Sequence, residues 1–256
     1  MLDSNVALRL GSGPLIATAI HDGHGLRDDL KPFLALSEAE RLREEDPYTG
    51  RWAFACPTSL VFERSRFQVD LNRPRDSSVY RAPGESWGLQ VWRAPLPEQL
   101  IARAHAEHDA FFTLLKRLCD EKIERVGKFV LFDLHSYNYR RQGPNEPEAP
   151  ALCPDINLGT GSVPVFRPRE PIERALEALR RARVGGRELD VRENVRFRGG
   201  YLAWWVHQHY PEHGLALAIE VKKFFMDEWT GVADHPLIDD LGKALADAAA
   251  AVECAL

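Results

Sequence analysis

The sequence predicts an α/β protein. Short apolar runs of strand length alternate with amphipathic stretches of helical period, and no repeat or low-complexity linker divides the 256 residues. That length buries a core without covalent staples, so residues 1–256 read as a single domain. Residues 14–20 form an apolar run that reads as a buried strand, leading into the loop His21-Asp22-Gly23-His24-Gly25. A short helix is expected over 36–45, with Ser37 as its N-cap. The longest helical pattern covers 97–126, where Leu100, Ile101, Ala104, Phe111, Leu115 and Leu118 recur at three- and four-residue steps and Gly127 stops the pattern. Residues 128–132 read as a strand buried on both faces, ending at Asp133-Leu134-His135-Ser136. Residues 142–154 hold four prolines and read as a loop and a candidate lid. A second amphipathic helix is expected over 170–184, with Pro171 in its first turn. An aromatic helix over 201–209 follows Gly199-Gly200, then comes a buried strand over 214–221 and an alanine-rich helix from 237 onward. Three to five further strands are needed to complete a sheet.

Composition narrows the function classes. With 33 Lys+Arg against 38 Asp+Glu, the net charge is −5, which argues against a general nucleic-acid binder. No apolar run approaches the ~18 residues of a membrane helix, and Asp3 and Arg9 interrupt any signal-peptide core. Cys56, Cys119, Cys153 and Cys254 form no C-x-x-C pair and read as free thiols, so a cytoplasmic location is expected. Nine histidines then call for explanation.

Three apolar runs deliver polar residues in the same manner: Ile20 into His21, Phe132 into Asp133 and His135, and Ile219 into Glu220. In open α/β sheets, ligand sites gather at the carboxyl ends of strands. A zinc hydrolase needs three protein ligands, an open coordination position and a nearby base. His21, His24 and His135 supply such a ligand set, and Glu220 supplies the base. A hydrogen-bonded turn for His-x-x-His and a salt-bridged Glu220 are the competing structural readings. In Asn72-Arg73-Pro74 a rigid turn places a guanidinium suited to carboxylate recognition, and Arg66 lies close enough in sequence to share that cleft.

Taken in order, these residues resemble the N-formylglutamate amidohydrolase family, which is similar to zinc carboxypeptidases and aspartoacylases. The carrying segments are Ser65-Arg66-Phe67, Asp70-Leu71-Asn72-Arg73-Pro74, Asp133-Leu134-His135-Ser136 and Asn157-Leu158-Gly159-Thr160. Phe197-Arg198-Gly199-Gly200-Tyr201, Ala218-Ile219-Glu220 and Phe225-Met226-Asp227-Glu228 complete the set. The resemblance implies a three-layer α/β/α, phosphorylase/hydrolase-like fold with a central mixed sheet, and one Zn²⁺. It also implies hydrolysis of an N-acyl amide on an acidic amino acid, such as N-formyl-L-glutamate. By position, His21 and His135 become metal ligands, and His24 stands where the related peptidases place a glutamate. Asn72 and Arg73 become the α-carboxylate clamp, Arg66 the carbonyl-oxygen donor, Glu220 the general base, and Tyr201 a residue closing over substrate.

The expected partner is thus a small-molecule N-acyl amino acid. A non-catalytic or differently specific member of the fold, binding acidic amino acids or small peptides, is the alternative. Other polar clusters read as structural. His105 and His108 share a helix face without a partner ligand; His207, His209 and His213 read as surface or helix-end residues; Trp204-Trp205 with Tyr201 reads as core. Gly185-Gly186 reads as a turn, since no phosphate-loop Lys-Ser/Thr follows.

Overall fold

The computed structural model describes residues 5–256. In chain order, the strands are β1 (Val6–Arg9), β2 (Leu15–Ala19), β3 (Thr58–Phe62), β4 (Phe129–Tyr137), β5 (Ile156–Gly159), β6 (Arg183–Val184), β7 (Arg187–Glu188), β8 (Val191–Glu193) and β9 (Gly214–Lys222). The helices are α1 (Glu38–Glu44), α2 (Thr49–Trp52), α3 (Glu98–Val126), α4 (Glu170–Arg181), α5 (Tyr201–His209) and α6 (His235–Glu253).

Seven strands form one mixed sheet in the order β1-β3-β2-β4-β9-β5-β8. Its centre, β2-β4-β9, is parallel, whereas β5 runs antiparallel to β9. Every residue of these three central strands is buried, as expected of strands covered on both faces. Alternation sorts their side chains into two cores. Leu15, Ala17, Val130, Phe132, Leu217 and Ile219 pack with Leu176 and Leu179 of α4 and Leu241 and Leu245 of α6. Ile16, Phe129, Leu131, Ala216 and Ala218 pack with Phe111 and Leu115 of α3 and Leu202 and Val206 of α5. Helices on both faces of a mixed sheet make the three-layer α/β/α architecture that the family resemblance implies.

Local signals explain the boundaries. Ser37 and Glu40 form a capping box that opens α1. Gly127 ends α3 at φ 80°, a conformation that other residues adopt at a cost. Gly185 and Gly186, both at positive φ, turn the β6–β7 hairpin. Two strands run further than their apolar patterns suggest. β4 continues through Asp133 and His135, and β9 through Glu220, because hydrogen-bonded pairing with neighbours persists past the apolar run. These residues therefore lie within strands, in the phase of the side chains facing α3 and α5.

Two expectations about the aromatic helix change. Trp205 is core, but Trp204 is exposed. His207 is 2% exposed rather than on the surface. Its Nε2 accepts the Ala216 N–H at 2.9 Å, and burial pushes its pKa down to about 4. A histidine depressed in the folded state binds protons first in the unfolded chain, so stability is lost as pH falls from about 6.5 towards 4. Between pH 7 and pH 5 this group is expected to cost about 2 kcal/mol of unfolding free energy. Urea titrations should show His207→Gln, whose amide oxygen replaces the Nε2 acceptor, losing less stability over that interval than the wild type.

Candidate functional site

The sheet delivers two histidines to one point. The chain leaves β2 at Ala19 and passes through Ile20 to His21, which is 1% exposed, and β4 places His135 opposite Glu220 of β9 in register. A third element reaches the same point: the turn after α1, carrying Asp46. That turn is held from several directions. The Asp46 N–H donates to the His21 carbonyl at 2.9 Å, and the Thr49 hydroxyl donates to the Asp46 carbonyl at 2.7 Å. Buried Lys223 donates to the carbonyls of Arg43 at 2.6 Å and Glu45 at 2.7 Å.

The Nδ1 atoms of His21 and His135 stand 3.3 and 3.1 Å from one Asp46 oxygen, Oδ2. One potential donor atom from each of these three residues falls within 4.8 Å of the others. On its far side, His21 Nε2 donates to Asp70 Oδ1 at 2.7 Å. His135 Nε2 lies 3.1 Å from Asp133 Oδ2, near enough for an ion pair but not aligned as a hydrogen bond. A proton held on the outer nitrogen by a carboxylate leaves the inner lone pair free to coordinate. Two imidazole nitrogens and one carboxylate oxygen converging in this way fit a divalent first-row metal, zinc among them.

The electrostatics agree with that fit. Burial opposes ionisation of Asp46, but hydrogen bonds from His135 and His21 outweigh it and hold the carboxyl well below its usual range. Burial also opposes charge on His135, yet Asp133, Asp46 and Glu220 raise its pKa well above that of an ordinary imidazole. Burial pushes Glu220 up to about 7, reinforced by the nearby charges of Asp46 and Asp133. Asp46 and Asp133 thus present negative charge to His135, and Asp46 and Asp70 to His21, which is the arrangement a cation site requires.

These residues line a cleft of about 340 Å³ shared by His21, Asp46, His135, Glu220, Arg66 and Asn72. Arg66 is fixed there: its guanidinium donates to Asp70 Oδ2 at 2.9 Å, Tyr80 Oη at 3.2 Å and the Glu44 carbonyl at 3.3 Å. Asn72 Oδ1 accepts the Leu202 N–H at 3.1 Å at the start of α5.

Residues 13–226 match the family described as N-formylglutamate amidohydrolase. The chain belongs to the N-formylglutamate amidohydrolase family. Among solved structures, it is similar to an N-formylglutamate amidohydrolase from Ralstonia eutropha. The TM-score is 0.80 at 17% identity, covering 99% of this chain and 100% of that one. It is also similar to a gene product of Agrobacterium tumefaciens, with a TM-score of 0.62 at 18% identity and 95% of each chain covered. No curated protein matches the sequence. At these identities the structural likeness establishes the fold, and the family match places the chain among amidohydrolases that act on small molecules.

Within this member of the N-formylglutamate amidohydrolase family, the structure gathers His21, His135, Glu220, Arg66 and Asn72 into one cleft. Three other expected residues lie elsewhere. His24 bonds Glu45 through Nδ1 and faces the Arg41 guanidinium at 2.9 Å through Nε2, so both ring nitrogens are engaged outside the His/Asp/His group. The Arg73 guanidinium lies over the Tyr80 ring, 3.4 Å from Asp70, and bonds the Glu85 carbonyl. Tyr201 stacks on Trp204 with ring centroids 5.6 Å apart. Neither Arg73 nor Tyr201 lines the cleft, and no residue of the 142–154 loop does. Asp46 is the residue that sequence reasoning passed over. It lies just past the short helix expected over 36–45, and Glu44, Glu45 and Asp46 are all buried. The following Pro47, which restricts the backbone at Asp46, was the available signal.

Proposed function

We propose that this chain hydrolyses the N-formyl amide of an acidic amino acid, with N-formyl-L-glutamate as the type substrate, and that it does so with zinc. The observation that carries the reading is a buried Glu220 sharing one cleft with the His21–Asp46–His135 group, in a chain of this family. His21, Asp46 and His135 would hold the ion, with Asp70 and Asp133 orienting the two imidazoles. Zinc supplies a Lewis acid for water and for the amide carbonyl.

The remaining chemistry belongs to the protein. Glu220, with a carboxyl near neutrality, accepts a proton from the attacking water and delivers it to the departing amine. The carbon–nitrogen bond breaks, formate leaves, and the free amino acid remains. Arg66, immobilised by three partners, offers fixed positive charge to the carbonyl oxygen as negative charge develops there. Asn72 has its Oδ1 committed to Leu202, which turns its amide N–H donors to the substrate's α-carboxylate. Arg73, drawn to Asp70, acts through the carboxylate that orients His21.

Formate release tests the reading directly. Protein dialysed against zinc is expected to release stoichiometric formate and glutamate from N-formyl-L-glutamate, and chelation followed by zinc is expected to abolish and restore this. Folded, zinc-loaded protein that releases no formate would overturn the proposal.

A further inference from the structure

The proposed substrate carries two carboxylates, and the cleft offers several cations of unequal availability. Arg66 is engaged as described. Arg141 makes two hydrogen bonds to Glu44, at 3.0 and 3.2 Å. Arg196 contacts Cys153 Sγ at 3.1 Å and the Asn138 carbonyl at 3.3 Å, with its guanidinium over the Tyr137 ring. Lys223 is buried against two carbonyls. Arg198 differs from all of these. It lines the same cleft, is exposed, and among the described residues its guanidinium has no hydrogen bond, ion pair or ring contact.

The backbone that presents Arg198 is nevertheless tightly built. Buried Asn157 of β5 accepts N–H bonds from Val195, Arg196 and Phe197 through one oxygen, at 3.0, 2.8 and 3.3 Å, and donates to the Phe197 carbonyl at 2.8 Å. The Gly161 N–H donates to the Arg198 carbonyl at 2.7 Å. A Cβ at Gly159 would stand 2.5 Å from the Gly199 nitrogen, and one at Gly161 would stand 2.8 Å from the Arg198 Cβ. Only glycine permits this approach. A buried amide and two glycines therefore fix a segment whose outward arginine has no partner among the described residues.

We infer that Arg198 receives the side-chain carboxylate of the substrate and is the residue that selects acidic over neutral N-acyl amino acids. This rests on the proposed deformylase reading and adds the residue that sets its specificity. Such a guanidinium gains a bidentate, charge-assisted contact when a carboxylate arrives, and among the described residues it has no salt bridge to break first.

Two measurements on the zinc-loaded protein test the inference, each comparing the wild type with Arg198→Gln and Arg198→Lys. In turnover, Arg198→Gln is expected to lower kcat/KM for N-formyl-L-glutamate about 10- to 100-fold more than for N-formyl-L-glutamine. Arg198→Lys is expected to recover part of that discrimination. In calorimetry, the wild type is expected to bind L-glutamate more tightly than L-glutamine, and Arg198→Gln to lose the difference. Equal losses on both substrates, or an Arg198→Gln protein that still prefers L-glutamate, would overturn the assignment. A wild type that shows no preference would also overturn it. A binding preference that depends on Arg198 without any formate release supports the assignment and overturns the deformylase reading alone.

Discussion

Asp46→Asn is expected to leave a folded protein that no longer retains a metal ion through dialysis, whereas His24→Asn retains it. The two variants separate two ligand sets that share His21 and His135. Asparagine keeps the size of the side chain and its contact with Ser136 while removing the charge that both imidazoles face. His24 instead belongs to a network with Glu45 and Arg41, and its loss affects the support of the turn rather than the donor set. Asp70→Asn provides an internal scale. As the outer partner of His21, it is expected to weaken metal affinity about 10- to 100-fold, less than loss of a ligand. Metal content by emission spectroscopy, with circular dichroism as the control for folding, decides the matter. Full metal occupancy in Asp46→Asn would remove Asp46 from the ligand set.

Glu220→Gln is expected to lower kcat by about 10²- to 10⁴-fold while metal content stays at the wild-type level. Glutamine fills the same space and keeps a hydrogen-bonding oxygen, but it cannot take a proton from water or return one to the amine. Misfolding is a poor explanation for any loss, because Glu220 is a buried acid whose ionisation burial opposes. Removing that acid relieves a cost, so the variant should unfold no earlier than the wild type in urea. Wild-type turnover in Glu220→Gln would exclude this residue as the proton carrier.

The regular elements were legible because each satisfies a single period. The 97–126 pattern returns as Glu98–Val126, and the aromatic segment returns as Tyr201–His209. β5 and β8, with four and three residues, are too short for any period to show, and four further strands were needed to complete the sheet. The site was legible where a polar residue interrupts an apolar run, which is how His21, His135 and Glu220 stand out. Asp46 was not, because its side chain meets His21 and His135, and its turn meets Lys223, only across the folded chain. Arg73 was misplaced for a related reason. The Pro74 turn directs its backbone, but Asp70, the Glu85 carbonyl and the Tyr80 ring decide where the guanidinium goes. Arg198 was read only as part of the segment Phe197-Arg198-Gly199-Gly200-Tyr201, since nothing in one sequence shows which of 33 cationic residues are left without partners in a cleft.

The spacing of the three inner donors bears on how the chain matures. Asp46 lies 25 residues from His21 and 89 from His135, on three different elements. A local cluster, as in a zinc finger, lets an ion nucleate structure in an otherwise unfolded peptide. Here the donors meet only once β2 has paired with β4 across a long intervening segment, a slow, non-local step. An ion held by these three residues would therefore enter a scaffold whose parallel centre has already assembled. Its uptake would be a late, sensitive report that the parallel centre of the sheet has formed.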